Sequence, residues 1–298
     1  MNINNYFNMI YILNLDKHTE RMNDMIAKLK NNNITNYTRF PAIDGYSEPY
    51  ITKWKKHQRS IKNAGVLGHL ESIIAILNNA IEKNYERILI LEDDVLFHKN
   101  FNDIFNKTSI PQPWKLLFLG SQFRTIQSNK NSIYLNAQNI YKDGAFAVGI
   151  DRSVYNELIN QIKRMNGPFD SFALKHIIRK YQNCFIISPS LIICDVSSSS
   201  LRHSRNLETF SRRNGWNLGL YNLINSYYYR HKKIVLSENV AKKITTPSNV
   251  LKIGTKIIRK NIKSIKSIKS IKSVKSIKSK IKPKNKSKNK MTILRIKK

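Results

Sequence analysis

The chain has 298 residues, 41% of them hydrophobic and 24% charged, with a formal net charge of +33. That apolar content can bury one large core or two modest ones, which excludes a chain that is disordered throughout. The charge excludes less than it suggests, because Glu238 is the last acidic residue and about 21 of the 52 Lys and Arg lie beyond it, leaving a body of about +12.

The elements are read in chain order. MIYILNL at 9–15 predicts a buried strand, and DKHTERMNDMIAKLKNN predicts a helix with Met22, Met25, Ile26 and Leu29 at helical spacing and Asp16 placed to cap its start. A short strand near YTRFPAI follows, then a loop rich in Tyr, Trp and Lys. A helix over about 66–83 turns Leu67, Leu70, Ile74, Leu77 and Ile81 inward. RILILEDD, WKLLFLG and AFAVGI are further strands, and the last leads into a helix at RSVYNELINQIKRM. Alternating strands and helices predict an α/β fold with a mostly parallel sheet and flanking helices, whose ligands bind outside the carboxyl ends of the strands.

Residues 1–237 are expected to form one domain and 238–298 a basic, disordered tail. NIKSIKSIKSIKSVKSIKSKIKPKNKSKNK repeats an apolar residue, Lys and Ser. A helix advances about 300° in three residues, so the isoleucines would wind around it and form no lasting stripe. The Lys, Asn and Ile richness suits an AT-rich genome, such as that of a large DNA virus. The tail is either a solvated appendage or an electrostatic tether to nucleic acid or an anionic membrane. Cys184 and Cys194 have no metal spacing and could make at most one bridge. No signal-like start appears and no run approaches the roughly 18 apolar residues of a membrane helix, so a cytoplasmic protein without a transmembrane segment is expected.

Three consecutive carboxylates, Glu92, Asp93 and Asp94, follow the apolar run at 88–91. Crowded carboxylates repel one another unless a cation or several donors are present. Glu92 and Asp94, separated by one residue, can face the same side as hard oxygen ligands for Mn2+ or Mg2+, with Asp93 turned toward a sugar or ribose hydroxyl. A solvated acidic turn would use the same residues.

Together with IYILNLDKHTERM, RFPAIDGY at 39–46, GVLGHLESI at 65–73 and LILEDDV at 89–95, in that order, the sequence resembles glycosyltransferase family 25, which contains lipopolysaccharide glycosyltransferases and collagen β-galactosyltransferases. The resemblance runs from about residue 9 to about 200 and takes in GPFDSFALKHI and ISPSLII. It implies a GT-A-type fold, a UDP-sugar donor, a glycan or protein acceptor, and a divalent ion on the acidic motif.

Carried over by position, the resemblance places Asn14, Asp16 and Arg21 near the nucleotide, Asp44 at base or ribose with Gly45 allowing the turn, and Asp93 beside the donor. Arg21 could instead pair with Asp24 on its own helix, and Asp44 could form a simple Asx turn. Gly68 stands where the family has Ser and Gly65 where Cys is usual, while His69 of the motif is retained. Inversion, implied by the family's products, needs a carboxylate to take the acceptor proton. Asp170 leads, with Asp143 behind it, although Asp170 could instead cap the helix SFALKHIIRKY. His203 could complete a metal site or lie on the surface. Two other functions stay open: a degenerate transferase fold that binds polyanions, or a metal-dependent nucleotide-processing enzyme. No Gly-rich phosphate loop supports a P-loop version of the second.

Overall fold

Side-chain alternation along two apolar strands sets the layers of the molecule. In the computed structural model, which describes residues 2–123, 134–138, 140–199 and 204–232, Tyr11 and Leu13 join one buried cluster while Ile10 and Ile12 join another on the opposite face. Ile88 and Ile90 against Leu89 and Leu91 repeat the split. A sheet apolar on both faces must be covered on both, which helical connections achieve.

The chain runs through α1 (Ile3–Tyr6), β1 (Met9–Asn14), α2 (Thr19–Asn31), β2 (Tyr37–Pro41), α3 (Tyr50–Lys56) and α4 (Ala64–Glu82). There follow β3 (Arg87–Glu92), β4 (Val95–Phe97), α5 (Phe101–Lys107), β5 (Leu116–Phe123), β6 (Tyr134–Asn136) and β7 (Tyr141–Asp151). The remainder is α6 (Tyr155–Lys163), α7 (Ala173–Lys180), β8 (Cys184–Ile187), β9 (Ile192–Cys194) and α8 (Leu207–Arg213). Seven strands form one sheet in the order β2-β1-β3-β7-β5-β8-β6, and β4 pairs separately with β9. The expected mostly parallel sheet is present: β1, β2, β3, β5 and β8 point one way, while β7, between β3 and β5, and β6 point the other.

One face is covered by α4, α6 and α7 through Leu67, Leu70, Leu77, Leu158, Leu174 and Ile177. The other is covered by α2, α5 and α8 through Met22, Met25, Leu29, Phe101, Phe105 and Phe210. Each fully buried side chain of this kind stabilises the fold by roughly 1.5–3 kcal/mol before entropy is counted. By length and composition α4 could cross a membrane, yet half of it is buried in this protein.

Several local expectations need correction. Helix α2 begins at Thr19 with His18 as N-cap, and Asp16 does not cap it but pairs with Arg39. Ile26 is 42% exposed, because Met22, Met25 and Leu29 already define the buried stripe. The Tyr-, Trp- and Lys-rich loop contains α3, anchored where Trp54 Nε1 donates to the Ile61 carbonyl at 2.9 Å. The ISPSLII segment spans the end of β8 and the start of β9, with Pro189 between them. Met1–Lys233 form one compact unit. The tail expected at 238–298, and His203, lie outside the described residues.

Candidate active site

The parallel register brings the acidic motif to its neighbours. Asn14 of β1 lies opposite Pro41 of β2, and Leu13 opposite Glu92 of β3, so three strands end at one edge. Because β7 runs antiparallel, its first residues reach that same edge, and Asp143 lies opposite Gln122 of β5. Antiparallel pairing of β4 with β9 sets Val95 opposite Cys194, and Asp195 N donates to the Asp94 carbonyl at 2.8 Å.

At the end of β3 the charges are partly compensated. Asp93 is buried, accepts from Asn14 Nδ2 at 2.6 Å and pairs with Arg21, whose guanidinium also lies 3.0 Å from Asp94 Oδ2. Arg39 Nε in turn donates to Asn14 Oδ1 at 2.9 Å. Glu92 is on the other side, 3.6 Å from His69 Nε2 of α4. Burial, then the Asp94 and Asp93 charges, push the Glu92 carboxyl up; burial pushes Asp94 up against the opposing pull of Arg21. Burial lowers the basicity of His69 and of Lys28, a buried lysine of α2 behind the motif.

A loop after β2 closes one side. Asp44 Oδ1 accepts from Tyr46 N at 3.1 Å, the Asx turn weighed as its alternative role, and Oδ2 accepts from Lys17 Nζ at 2.6 Å, which holds the carboxyl below its usual range. The loop lies against α4 at backbone contact: a Cβ on Gly68 would stand 2.4 Å from the Ile43 carbonyl oxygen and 2.5 Å from Gly45 N. Ser72 Oγ clasps it, accepting from Ile43 N at 2.8 Å and donating to the Gly68 carbonyl at 2.7 Å. Gly45 therefore serves this close approach and does not supply a left-handed turn.

Two cavities meet on His69, Glu92, Asp94 and Ser199. The first, of about 210 Å3, adds Lys17, His18, Arg21, Asp44 and Asp93. The second, of about 140 Å3, adds Phe146, Phe169, Asp170, Arg205 and Phe210. Asp170 is not the cap of α7, whose N-cap is Phe172. Its Oδ2 accepts from Gly144 N at 3.1 Å and its Oδ1 from Ser171 Oγ at 3.1 Å. Gly144 presents that N–H from a left-handed conformation, φ 99°, which a side chain would strain.

Of the residues singled out in the sequence, Arg21, Asp44, Glu92, Asp93, Asp94 and Asp170 line these cavities. Asn14 is buried behind Asp93, and Asp16 lies apart from both cavities with Arg39. Arg21 pairs with the acidic motif and not with Asp24, which pairs with Arg230 at 2.6 Å. Asp143 lies outside the cavities, 3.0 Å from Lys175 Nζ, and shares with Asp170 the single hydroxyl proton of Ser171. Sequence reasoning missed Lys17, Lys28, Arg39 and Arg205; single cations in a Lys-rich chain carry no local signal.

Among the described residues, no group of three or more His, Cys, Asp or Glu could by itself hold a metal. The donor set is two carboxylates, Glu92 and Asp94, and Asp94 Oδ1 is buried without a hydrogen-bond partner. A hard cation would satisfy that oxygen and relieve the crowding. Mg2+-like ions are commonly held by one or two carboxylates plus phosphate and water. The residues fit such an ion.

A mostly parallel sheet with two cavities joined at an acidic strand end defines the class: an α/β protein with a ligand site at the carboxyl edge of its sheet. Residues 7–172 match the family model of glycosyltransferase family 25, described as LPS biosynthesis protein, and the chain belongs to that family. It is 30% identical over 103 residues to protein R655 of Acanthamoeba polyphaga mimivirus, which carries the name of a glycosyltransferase. That stretch is 33% of this chain and 32% of the mimivirus protein, so the chain spans about a third of that relative's length. Among solved structures it is similar to a glycosyltransferase involved in glycosylation of the major capsid of PBCV-1, with 15% identity, TM-score 0.29, and 50% and 62% of the two chains covered. It is also similar to A197 from STIV, with 11% identity, TM-score 0.31, and 67% and 98% covered.

Proposed function

We propose that the chain moves a hexose, galactose or glucose, from a UDP-sugar to a hydroxyl of a glycan or protein, with inversion at the anomeric carbon. One observation carries the reading: two cavities meet on Glu92, Asp94 and His69, one lined by Lys17 and Arg21 and the other holding Asp170. The first suits the donor. Lys17 and Arg21 offer positive charge to a diphosphate, and Asp44 and Asp93 offer acceptors to ribose or sugar hydroxyls.

Glu92 and Asp94 would hold Mn2+ or Mg2+, which when bound neutralises charge on the departing diphosphate. Arg21 pairs with Asp93 and Asp94 and orients both carboxylates before any ligand arrives. His69, its basicity lowered by burial, offers a ring N–H or lone pair beside Glu92 without adding a positive charge. Asp170, fixed by Gly144 N–H and Ser171 Oγ, accepts the acceptor's hydroxyl proton as that oxygen bonds to the anomeric carbon and the bond to UDP breaks. Inversion requires this carboxylate on the sugar face opposite UDP. Asp143 is less suited, being bound to Lys175 outside both cavities.

The free thiols Cys184 and Cys194 support work in a reducing compartment, the cytoplasm, which for a viral protein would be that of the host. The mimivirus relative accords with a viral source. A thermal-shift panel of nucleotide sugars, with and without Mn2+, tests the function. UDP-sugars with Mn2+ should stabilise the protein by about 2.7 kcal/mol at a hundred times Kd, and no response to any nucleotide sugar overturns the reading.

A further inference from the structure

We propose that the acceptor carries an anionic group, a carboxylate or a phosphate, bound by Arg205 in the second cavity. The inference rests on the transferase reading and deepens it by naming the acceptor's chemistry. Arg205 lines the second cavity and not the first, so its guanidinium belongs to the side holding Asp170. Its position is built. The Arg205 backbone N donates to the Val196 carbonyl at 2.9 Å, and its guanidinium carbon lies 5.4 Å from the centre of the Phe210 ring. Phe210 packs edge-on against Trp216 at 5.6 Å, and Trp216 packs in the same way against Phe146 at 5.9 Å. The platform under the guanidinium is thus continuous with the buried core.

Charge accounting points to the ligand. Of the other cations of this region, Lys17 is matched to Asp44, Arg21 to Asp93 and Asp94, Arg39 to Asp16 and Lys175 to Asp143, while Lys28 is buried behind the motif and lines neither cavity. Arg205 has no ion pair to a described acid, although Glu92, Asp94 and Asp170 line the same cavity. A neutral saccharide would leave the guanidinium facing only Phe210 and water. A carboxylate or phosphate would engage it in two parallel charge-assisted hydrogen bonds, the geometry a planar, stacked guanidinium is suited to. Aromatic walls at Phe146, Phe169 and Phe210 would receive the apolar face of a sugar ring next to that group.

The experiment compares matched saccharides on the full chain in the presence of UDP and Mn2+. Methyl β-glucuronide against methyl β-glucoside tests the carboxylate, and glucose 6-phosphate against glucose tests the phosphate. In the wild-type protein one charged compound should bind about tenfold tighter than its neutral twin, the size of one charge-assisted contact. Arg205→Ala should erase that preference and Arg205→Lys should retain part of it. Indistinguishable twins, including no detectable binding of either, overturn the proposal; so does an unaltered preference in Arg205→Ala. A parallel fall in UDP affinity in Arg205→Ala would assign the guanidinium to the diphosphate and also overturn it. Donor hydrolysis by the wild-type protein reports on the transferase reading separately, so the two failures are distinguishable.

Discussion

One terminal nitrogen of Arg21 is shared between Asp93 and Asp94, lying 3.0 Å from Asp94 Oδ2. The Arg21 side chain is 15% exposed, so the pair is little screened by solvent. Removing the guanidinium would leave two buried carboxylates facing each other and Glu92. Arg21→Met should therefore cost roughly 3 kcal/mol of stability, measured by urea unfolding. Wild-type stability in this variant would show that the motif needs no internal cation.

Asp94 has one oxygen on Arg21 and another, Oδ1, without a partner. Asp94→Asn keeps the shape and removes one of three crowded charges, so the melting temperature should stay within a few degrees of wild type. Mn2+-dependent UDP affinity should be lost. Calorimetric titration of UDP with Mn2+ and with chelator checks this, and equal affinity in both for the wild-type protein would rule out an ion on this motif.

Asp170 accepts from Gly144 N–H, and an amide oxygen at the same position can accept that bond equally. Asp170→Asn should consequently preserve the melting temperature and UDP-sugar affinity while transfer falls by roughly 10²- to 10⁴-fold, the loss expected for a positioned base. Transfer preserved in the folded variant would move the base to another carboxylate.

Gly68 lets the Asp44 loop rest on α4 with backbone atoms in contact. Gly68→Ser puts a Cβ 2.4 Å from the Ile43 carbonyl oxygen, so the loop must shift. A stability loss of about 1–3 kcal/mol and weaker UDP affinity are expected, the latter because Asp44 and Tyr46 line the first cavity, where the donor is proposed to bind. Unchanged UDP affinity would detach this loop from donor binding.

The 238–298 segment carries about 21 Lys and Arg and no acid beyond Glu238. A chain ending at 237 should fold and hydrolyse donor, but elute from heparin at lower salt and with a shallower salt dependence. Unfolding of the shortened chain would place part of the domain beyond 237.

The sequence by itself determined the strands β1, β3 and β7, the long helix α4, and an acidic triplet at a strand end. Burial on both faces writes those features as local runs and periods that need no knowledge of neighbours. Only the tertiary structure decided what the acids do. Asp93 meets Asn14 and Arg21 because β1 and β3 are adjacent and parallel, and Asp170 meets Gly144 because β7 enters the same sheet edge in reverse. His69 acquires a carboxylate neighbour because Gly68 and the Asp44 loop fix where α4 rests. Such partnerships depend on which strand lies beside which, over separations of 79 and 26 residues for Asn14–Asp93 and Gly144–Asp170. No local pattern encodes them, since each residue's own periodicity is satisfied whichever neighbour it finds.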